Sequence, residues 1–330
     1  MSWHDLVGHD EIVENFRRTL QRDRLATSYL LTGPAGVGKC TFALGLAQSL
    51  LCQNTEPAKL KPCGKCDSCL QVEAGSHPDI TIVARPEGKK DIPVELLIGD
   101  REHRGREGFC HDLSLKPFMG GRKIGIIDDA DCLNQEGSNC LLKTLEEPPP
   151  RSVLFLIGTN PDAQLPTIRS RCQIIHFQPL AAEQLVELLI SGDHVKERAM
   201  AERMASQSDG GMTSALDWAD DELWQFRDQL VGQLSKPSLD RVRVSQAVQK
   251  FVDDAGKAHA DRRQRAGRVM QIAEQYYRQR LRDLLRENAP ADDAVQCAVA
   301  SIDRCLAAHQ HIDRNANMAT LISCWVDDLG

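Results

Sequence analysis

The chain has 330 residues, of which 42% are hydrophobic and 26% charged, and its formal net charge is −7. This length is typical of two or three domains, and the hydrophobic share is sufficient for folded cores. The acidic balance implies no broad basic face for nucleic acid, and an aromatic share of 5% argues against a protein that stacks many bases of a single strand. Contact with DNA would therefore need a local patch or a partner protein.

The sequence also predicts where the protein works. No stretch reaches the ~20 apolar residues of a membrane helix, and the N-terminal segment MSWHDLVGHDEIVENF has no charged-then-apolar signal pattern. We therefore expect a cytoplasmic protein with no membrane partner. Its 12 cysteines are many for a reducing compartment, where clustered cysteines usually bind metal and scattered ones are buried thiols.

Strands and helices alternate up to about residue 178. Short and almost continuously apolar runs predict strands that are covered on both faces. These runs are YLLT at 29–32, ITIV at 80–83, KIGII at 123–127, VLFLI at 153–157 and IIHF at 174–177. Between them, Phe42, Leu46 and Leu50 recur with helical spacing, and Asn134 can cap a further helix. The pattern predicts an α/β domain with a parallel sheet over residues 1–178.

After this domain the strand pattern ends. Residues 179–235 predict a small helical domain, and residues 236–330 predict a second one with a break at 288–292. The second helical domain carries apolar stripes at Leu306, Ile312, Leu321 and Ile322. These stripes favour an oligomerisation domain, and the core of an ordinary helical bundle is the alternative.

A glycine-rich loop, GPAGVGK at 33–39, follows the first strand and opens a helix. In a phosphate-binding loop, glycines let backbone N–H groups surround phosphate oxygens, and the lysine reaches the β and γ phosphates. A glycine-rich turn without a ligand is the alternative. The loop predicts a site for ATP or ADP with Mg²⁺, lined by Gly33, Pro34, Gly36, Val37, Gly38, Lys39, Cys40 and Thr41.

The residue after the lysine departs from this pattern. A serine or threonine hydroxyl ordinarily ligates Mg²⁺ there, but the chain has Cys40, and a neutral thiol is a poor ligand for a hard ion. Thr41 offers a hydroxyl, yet one helical step rotates it by ~100°. We therefore expect nucleotide binding to tolerate the change better than hydrolysis does.

A second buried strand, at 123–127, ends in carboxylates. Asp128 would hold Mg²⁺ through water, and Asp129 would polarise the attacking water. ATPases with this arrangement usually carry glutamate at the second position, and aspartate is shorter by ~1.5 Å. A strand end with capping aspartates is the alternative, and the upstream phosphate loop favours the catalytic interpretation.

Four cysteines form a compact cluster in the sequence. Cys52, Cys63, Cys66 and Cys69 have the spacing C-x10-C-x2-C-x2-C. Four thiolates close a tetrahedral Zn²⁺ site that has no open position for catalysis. Unligated thiols or a redox-active pair are the alternatives. The spacing predicts a structural zinc module at 52–69, inserted directly after the first helix of the α/β domain.

Together these motifs resemble those of the AAA+ proteins of the bacterial DNA polymerase III clamp loader. Besides the phosphate loop and the cysteine insertion, the resemblance rests on LVGH at 6–9, IIDDAD at 126–131, LLKTLEEP at 141–148, SRC at 170–172, IDR at 302–304 and DRNAN at 313–317. It covers nearly the whole chain. It implies an AAA+ RecA-like parallel-sheet domain with a zinc-module insertion, a small helical lid and an all-α collar.

The resemblance also implies roles and partners. Five such subunits form a gapped ring that opens a sliding clamp and places it on primed DNA, so the partners would be motor (tau/gamma) and delta-type subunits, the clamp and primer–template DNA. Arg171 would act across the subunit boundary on a neighbour's ATP. Thr159 would sense the γ-phosphate, and Val7 and Gly8 would contact the nucleotide. The lid stretch 210–216 lacks the arginine with which ATPase members touch their own γ-phosphate.

Three interpretations stay open at this point. The first is a subunit of the polymerase holoenzyme that contributes its arginine and shape, with weak or no ATPase activity. The second is an ATP-hydrolysing motor subunit of the tau/gamma kind, or another AAA+ DNA machine. The third is a zinc-stabilised scaffold that binds no nucleotide. Cys40, Asp129 and the lid without an arginine favour the first, and the intact loop up to Lys39 disfavours the third.

Overall fold

A computed structural model of the chain describes residues 6–119, 121–236, 238–256, 259–286, 292–313 and 317–329. The chain divides into two compact units, Met1–Asp217 and Trp218–Gly330. The sequence predicted divisions after residues 178 and 235, which would place the helix at 221–234 in the lid. In the structure this helix belongs to the second compact unit. The lid and the collar as separate functional domains stay a prediction.

The first unit is built on a parallel five-stranded sheet with the order β2-β3-β4-β1-β5. Its strands are β1 Ser28–Thr32, β2 Ile80–Val83, β3 Lys123–Ile127, β4 Ser152–Ile157 and β5 Gln173–His176. All strand pairs in the sheet are parallel. Every residue of β1, β3 and β4 is buried, as continuous apolar runs require when both faces of a sheet are covered. The predicted strands are confirmed, and their ends are shifted by no more than one residue.

Helices cover both faces of this sheet, and three more helices of the first unit follow its last strand in the chain. They are α1 Asp10–Gln21, α2 Lys39–Leu51, α3 Asp67–Glu73, α4 Val94–Ile98, α5 Phe109–Ser114, α6 Gln135–Glu146, α7 Pro166–Arg169, α8 Ala182–Ser191, α9 Arg198–Gln207 and α10 Met212–Leu216. Asn134 caps α6 as predicted, because its side chain accepts a hydrogen bond from the Gly137 N–H. Leu141 and Leu145 of α6 pack into the core formed by the central strands.

The second unit contains only helices in its described part. They are α11 Asp221–Leu234, α12 Arg241–Asp253, α13 His259–Arg286, α14 Asp292–Asp313 and α15 Met318–Asp328. An α/β sheet domain followed by helices is the predicted fold class, which is confirmed. Among the helices in the described ranges, none has the length and apolar character needed to cross a bilayer.

The apolar stripes of the second unit mostly serve its own core. Ile312, Leu321 and Ile322 are buried within the unit, whereas Leu306 is 39% exposed. Three of these four side chains therefore give no argument for an oligomerisation surface. Residues 288–291 of the predicted break and residues 314–316 of the DRNAN stretch lie outside the described residues.

Candidate nucleotide and metal sites

The glycine-rich loop has the backbone of a phosphate cradle. Gly33, Gly36 and Gly38 all have positive φ, and Gly38 caps α2, which begins at Lys39. A Cβ atom on Gly33 would lie 2.4 Å from the carbonyl oxygen of Phe177, so no side chain fits there. The loop follows the carboxyl end of β1 and leads into a helix N-terminus, which is where a parallel sheet offers N–H groups to phosphate.

Lys39 is held inside this loop. Its Nζ donates hydrogen bonds to the carbonyl oxygens of Gly33, at 2.7 Å, and Pro34, at 2.6 Å. Burial lowers the pKa of Lys39, and the carboxylates of Asp128 and Asp131 act in the opposite direction. An ammonium group has three N–H donors. Two are used by the loop, which leaves one for a phosphate oxygen.

Cys40 and Asp128 meet beside the loop. Burial, together with the charge of Asp128 and a hydrogen bond to its carboxylate, raises the pKa of the Cys40 thiol to about 12. The structure thus places Cys40, at the position where a Mg²⁺-binding hydroxyl is usual, beside Asp128, the predicted Mg²⁺ residue, and the thiol is neutral at physiological pH. Oxygen ligands of Asp128 fit Mg²⁺, and a protonated sulfur does not. Thr41 is the next residue of α2 and is half-buried.

Asp129 is engaged by an arginine that sequence reasoning missed. Its backbone has a φ of +55°, and its N–H donates to Asp128 Oδ1 at 3.0 Å. Its carboxylate lies 3.6 Å from Arg85 Nε, and both side chains are largely exposed. Arg85 follows the end of β2, so only the order of the strands, and no local pattern, could have indicated this pair.

Thr159 is also engaged, by Asp131. The Thr159 carbonyl accepts a hydrogen bond from the Gly33 N–H at 3.1 Å, which ties the end of β4 to the phosphate loop. Its own N–H and hydroxyl both donate to Asp131 Oδ2, at 2.5 Å and 2.7 Å. Gln164 donates to the other oxygen of this carboxylate. Sensing a γ-phosphate through the hydroxyl proton would therefore require Thr159 to release Asp131.

The segment before α1 reaches the same loop. Val7 is half-buried, and the exposed Gly8 has a φ of +81°. His9 is buried, and its Nε2 donates a hydrogen bond to the Val37 carbonyl at 2.8 Å. Burial lowers the pKa of His9, so the ring is neutral near pH 7 and acts as a fixed donor. His9 is part of the LVGH stretch at 6–9, but the sequence did not predict it as a site residue.

The loop is covered on another side by the backbone before α10. The Met212 N–H donates to the Gly36 carbonyl at 3.3 Å. A Cβ atom on Gly211 would lie 2.1 Å from the carbonyl oxygen of Ala35. Backbone therefore packs directly on backbone at this contact, which a residue with a side chain could not make.

Arg171 lies away from all these residues. In the parallel pairing of β1 with β5, Tyr29 is opposite Gln173 and Thr32 is opposite His176. Arg171 precedes β5 and lies at the amino-terminal edge of the sheet, whereas the phosphate loop follows the carboxyl end of β1. At ~3.3 Å per residue the two levels are ~20 Å apart along the strands. This separation is longer than an arginine side chain.

Three groups from its surroundings fix the Arg171 guanidinium. Its Nη1 donates to the Thr167 carbonyl at 2.9 Å and to Ser170 Oγ at 3.3 Å. Its Nη2 donates to Glu146 Oε1 at 2.7 Å, and the Arg171 side chain is 34% exposed. The arginine is therefore oriented but remains accessible.

The four predicted zinc ligands come together as a cluster. The sulfur atoms of Cys52, Cys63, Cys66 and Cys69 all lie within 4.8 Å of one another, and the Cys63 and Cys69 sulfurs are 3.9 Å apart. Tetrahedral zinc with Zn–S bonds of ~2.3 Å requires S···S distances of ~3.8 Å. The four thiols therefore fit Zn²⁺.

Hydrogen bonds favour the anionic form of two of these thiols, Cys52 and Cys63. Thr55 Oγ1 donates to Cys52 Sγ at 3.0 Å, and the Cys63 N–H donates to the same sulfur at 3.4 Å. Burial raises the pKa of Cys52, but these hydrogen bonds outweigh it and lower the pKa to about 6. The N–H groups of Lys65 and Cys66 lower the pKa of Cys63.

The module is attached to the sheet domain by α2 and α3. Gln48 of α2 is buried and donates through Nε2 to the Cys69 carbonyl at 3.2 Å. Cys52 is the C-cap of α2, and Cys66 is the N-cap of α3. The insertion therefore begins where the helix after the phosphate loop ends.

Comparison with known proteins gives the family. The family model described as "DNA polymerase III, delta subunit" matches residues 8–181. The DNA polymerase III subunit delta′ of Pseudomonas aeruginosa PAO1 is 40% identical over 151 residues, which cover 46% of this chain and 43% of that protein. The subunit delta′ of Escherichia coli K12 is 31% identical over 237 residues, or 71% of this chain and 66% of that protein.

A tau subunit is similar over an even longer stretch. The DNA polymerase III subunit tau of Escherichia coli K12 is 30% identical over 264 residues, which cover 78% of this chain and 38% of that protein. The chain thus spans less than half of the length of the Pseudomonas delta′ and Escherichia coli tau relatives. The family match covers more than half of the chain, and the chain belongs to the DNA polymerase III delta subunit family, as a member of the delta-prime type.

Proposed function

We propose that the chain is a clamp-loader subunit of the replicative DNA polymerase, which helps to load the sliding clamp onto primed DNA. It contributes Arg171 in trans to the ATP site of a neighbouring subunit and has weak or no ATPase activity of its own. Its partners are motor subunits of the tau/gamma type, a delta-type subunit, the clamp and, through the assembly, primer–template DNA. The observation that carries this proposal is the position of Arg171.

The distance between Arg171 and the chain's own phosphate loop supports a role in trans. Arg171 lies at the amino-terminal end of the strands and the phosphate loop at their carboxyl end, so the guanidinium cannot reach a phosphate bound by Lys39. It is nevertheless oriented and accessible at the surface. A guanidinium that stabilises charge on a transferring phosphoryl group is always protonated and offers several donors. A neighbouring subunit's nucleotide is the phosphate that this arginine can serve.

Three residues support weak or absent ATPase activity, because each either differs from the usual residue of an ATP site or already pairs with another side chain. Cys40 carries a neutral thiol where a Mg²⁺-binding hydroxyl is usual. Asp129 is a shortened catalytic carboxylate, and it pairs with Arg85. Thr159 donates its hydroxyl proton to Asp131. Each change weakens hydrolysis more than binding, because the loop glycines and Lys39 are intact.

Two bound groups belong to this proposal. A structural Zn²⁺ is held by the four cysteines of the module, where it would stabilise a short insertion with little core of its own. ATP or ADP with Mg²⁺ is bound at the phosphate loop, where Lys39 and the N–H groups contact phosphate and Asp128 supplies the oxygen ligand on the metal side.

The test is Arg171→Ala in a ring reconstituted with motor subunits, clamp and primed DNA, with Arg169→Ala as the matched control. Arg169 is two residues away and forms a surface ion pair with Asp162. Trans-acting arginines contribute ~10³–10⁵ in rate at a single site, and several sites in one ring dilute this effect. We expect Arg171→Ala to lower DNA-stimulated ATP turnover and clamp loading by at least ~10-fold, with normal folding, zinc content and assembly. Unchanged turnover at the adjoining site would exclude the trans role.

A motor subunit of the tau/gamma kind is the second candidate. It is favoured by the intact cradle, in which Lys39 retains a donor for phosphate, and by similarity to a tau protein over 78% of the chain. Radiolabelled ATP distinguishes the candidates when binding and turnover by the isolated chain are measured separately. Turnover at motor rates, abolished by Lys39→Ala, would favour the motor. Absence of nucleotide binding would favour a zinc-stabilised scaffold.

A further inference from the structure

We infer that Glu146 is the positioning residue of the trans-acting arginine: its carboxylate holds Arg171 ready for the neighbour's phosphate. This inference rests on the proposed trans role of Arg171. Glu146 is the last residue of α6, and its Oε1 lies 2.7 Å from Arg171 Nη2. Glu146 belongs to the LLKTLEEP stretch at 141–148, for which the sequence predicted no chemical role.

The helix that carries Glu146 is itself held in place by the core. Leu141 and Leu145, on the same helix, are buried in the core cluster of the sheet domain. Asn134 fixes the other end of α6 through its cap on Gly137. The last turn of α6 therefore has a defined position relative to the sheet, although the Glu146 side chain that it carries is half exposed.

Glu146 completes a three-point attachment of the guanidinium. The other two points, the Thr167 carbonyl and Ser170 Oγ, both accept from Nη1. They lie within four residues of Arg171 and so move with the same turn, whereas Glu146 comes from a different element. It is therefore the contact that fixes the arginine relative to the rest of the domain.

The attachment leaves the arginine competent for phosphate. A guanidinium has five N–H donors in a planar fork. The two contacts of Nη1 and the one of Nη2 use three of them, and two remain for oxygen atoms of a neighbour's nucleotide. Stabilisation of a transition state is largest when the donor is oriented beforehand, because no reorganisation is then required during the reaction. Glu146 is therefore better explained as a residue that orients Arg171 than as one from which Arg171 must dissociate before it can act.

The experiment compares Glu146→Ala with Glu147→Ala in the reconstituted ring. Glu147 is the next residue, it is exposed, and it forms no ion pair with any described residue, so the two variants remove the same charge from the same helix end. We expect Glu146→Ala to lower the kcat of DNA-stimulated turnover by ~10-fold with KM changed by less than about twofold. Glu146→Gln, which keeps a hydrogen-bond acceptor, should fall between wild type and Glu146→Ala. Turnover that is unchanged or faster with Glu146→Ala would overturn the inference.

A second readout needs neither ring nor nucleotide. The full isolated chain is treated with butanedione, which modifies arginine, and the modification rate of Arg171 is followed by mass spectrometry of its peptide. We expect Arg171 to react faster in Glu146→Ala than in Glu147→Ala, with equal melting temperatures. Equal rates would overturn the inference. If Arg171→Ala leaves ring turnover unchanged, the proposed function fails, and this rate still decides whether Glu146 holds the arginine.

Discussion

The predicted zinc module and the candidate nucleotide site differ in how many segments of the chain contribute residues to them. The module takes its ligands from residues 52–69, and all four predicted sulfurs lie together. The nucleotide site draws on segments from Val7 to Met212, and two of its predicted residues, Asp129 and Thr159, are engaged by side chains from elsewhere. A site built from one short segment depends on every member, whereas a site built from many can lose single functions and keep its shape.

The strongest test of this contrast is removal of one zinc ligand. Cys66 is buried at the N-cap of α3, and Cys66→Ala would leave three thiolates around the metal. Structural zinc contributes ~10–16 kcal/mol of apparent binding energy in small domains. We therefore expect loss of the bound metal and a large fall in melting temperature, measured by metal analysis and calorimetry of protein purified without chelator.

The exposed Cys297 gives the control, since Cys297→Ala should keep about one equivalent of zinc. Wild-type protein without metal, with all four module thiols freely titratable in the folded state, would contradict the zinc assignment.

Removal of the loop lysine tests the nucleotide side of the comparison. Lys39→Ala deletes the donor that is left for phosphate, and hydrogen bonds to charged groups contribute ~1.5–3 kcal/mol each. We expect the affinity for ATP and ADP to fall by at least ~10-fold. Titration calorimetry measures the Kd values, and the exposed Lys143→Ala is the control. Equal affinity in wild type and Lys39→Ala would mean that the loop is a turn without a ligand.

The same difference decides what could be read from the sequence. The strands were predictable because burial on both faces leaves continuous apolar runs, and the cluster of four cysteines was predictable because its spacing is local. The partners of the nucleotide-site residues were not. Arg85 reaches Asp129 only because β2 lies beside β3 in the sheet, and Asp131 reaches Thr159 only because β3 lies beside β4. Strand order is a tertiary property that no local pattern encodes.

The division of the chain into compact units depends on packing in the same way. The linker-like residues at 236–237 suggested a boundary, yet the compact units divide between Asp217 and Trp218. Packing decided this: Trp224 of α11 donates through Nε1 to the Trp218 carbonyl at 2.8 Å, and Phe226 stacks on Phe251 of α12. Helix α11 is therefore part of the second unit's core.

A smaller effect is expected where the nucleotide loop meets the backbone before α10. Gly211→Ala would place a Cβ atom 2.1 Å from the Ala35 carbonyl oxygen and force the two segments apart. Overpacking of this kind costs ~1–3 kcal/mol. We expect a lower melting temperature and weaker nucleotide binding.

Gly232→Ala is the matched control, because Gly232 lies inside α11 with nothing within 4 Å of the added Cβ. That change should stabilise the helix by ~0.5–1 kcal/mol. If Gly211→Ala binds nucleotide as wild type does, the contact has no influence on the loop.

The smallest expected effect concerns Cys40. Burial and the carboxylate of Asp128 raise the pKa of its thiol to about 12, above the ordinary value of 9.0. The neutral thiol therefore supports folding below pH 9, and this contribution is lost as the pH rises toward 12. Cys40→Ser removes this dependence and restores an oxygen ligand. We expect Mg²⁺ to tighten ATP binding more strongly in Cys40→Ser, by a further ~3–10-fold, than in wild type or Cys40→Ala.

Turnover should remain slow in Cys40→Ser, because Asp129 is still short and paired with Arg85, and the lid stretch still lacks an arginine. The comparison needs ATP titrations with Mg²⁺ and with chelator for wild type and both variants, followed by steady-state hydrolysis. A gain in magnesium dependence without a gain in turnover would show that Cys40 limits Mg²⁺ binding and that other residues limit hydrolysis. If Cys40→Ser and Cys40→Ala respond to Mg²⁺ alike, the thiol is not what limits the metal, and the position of Asp128 would have to account for it.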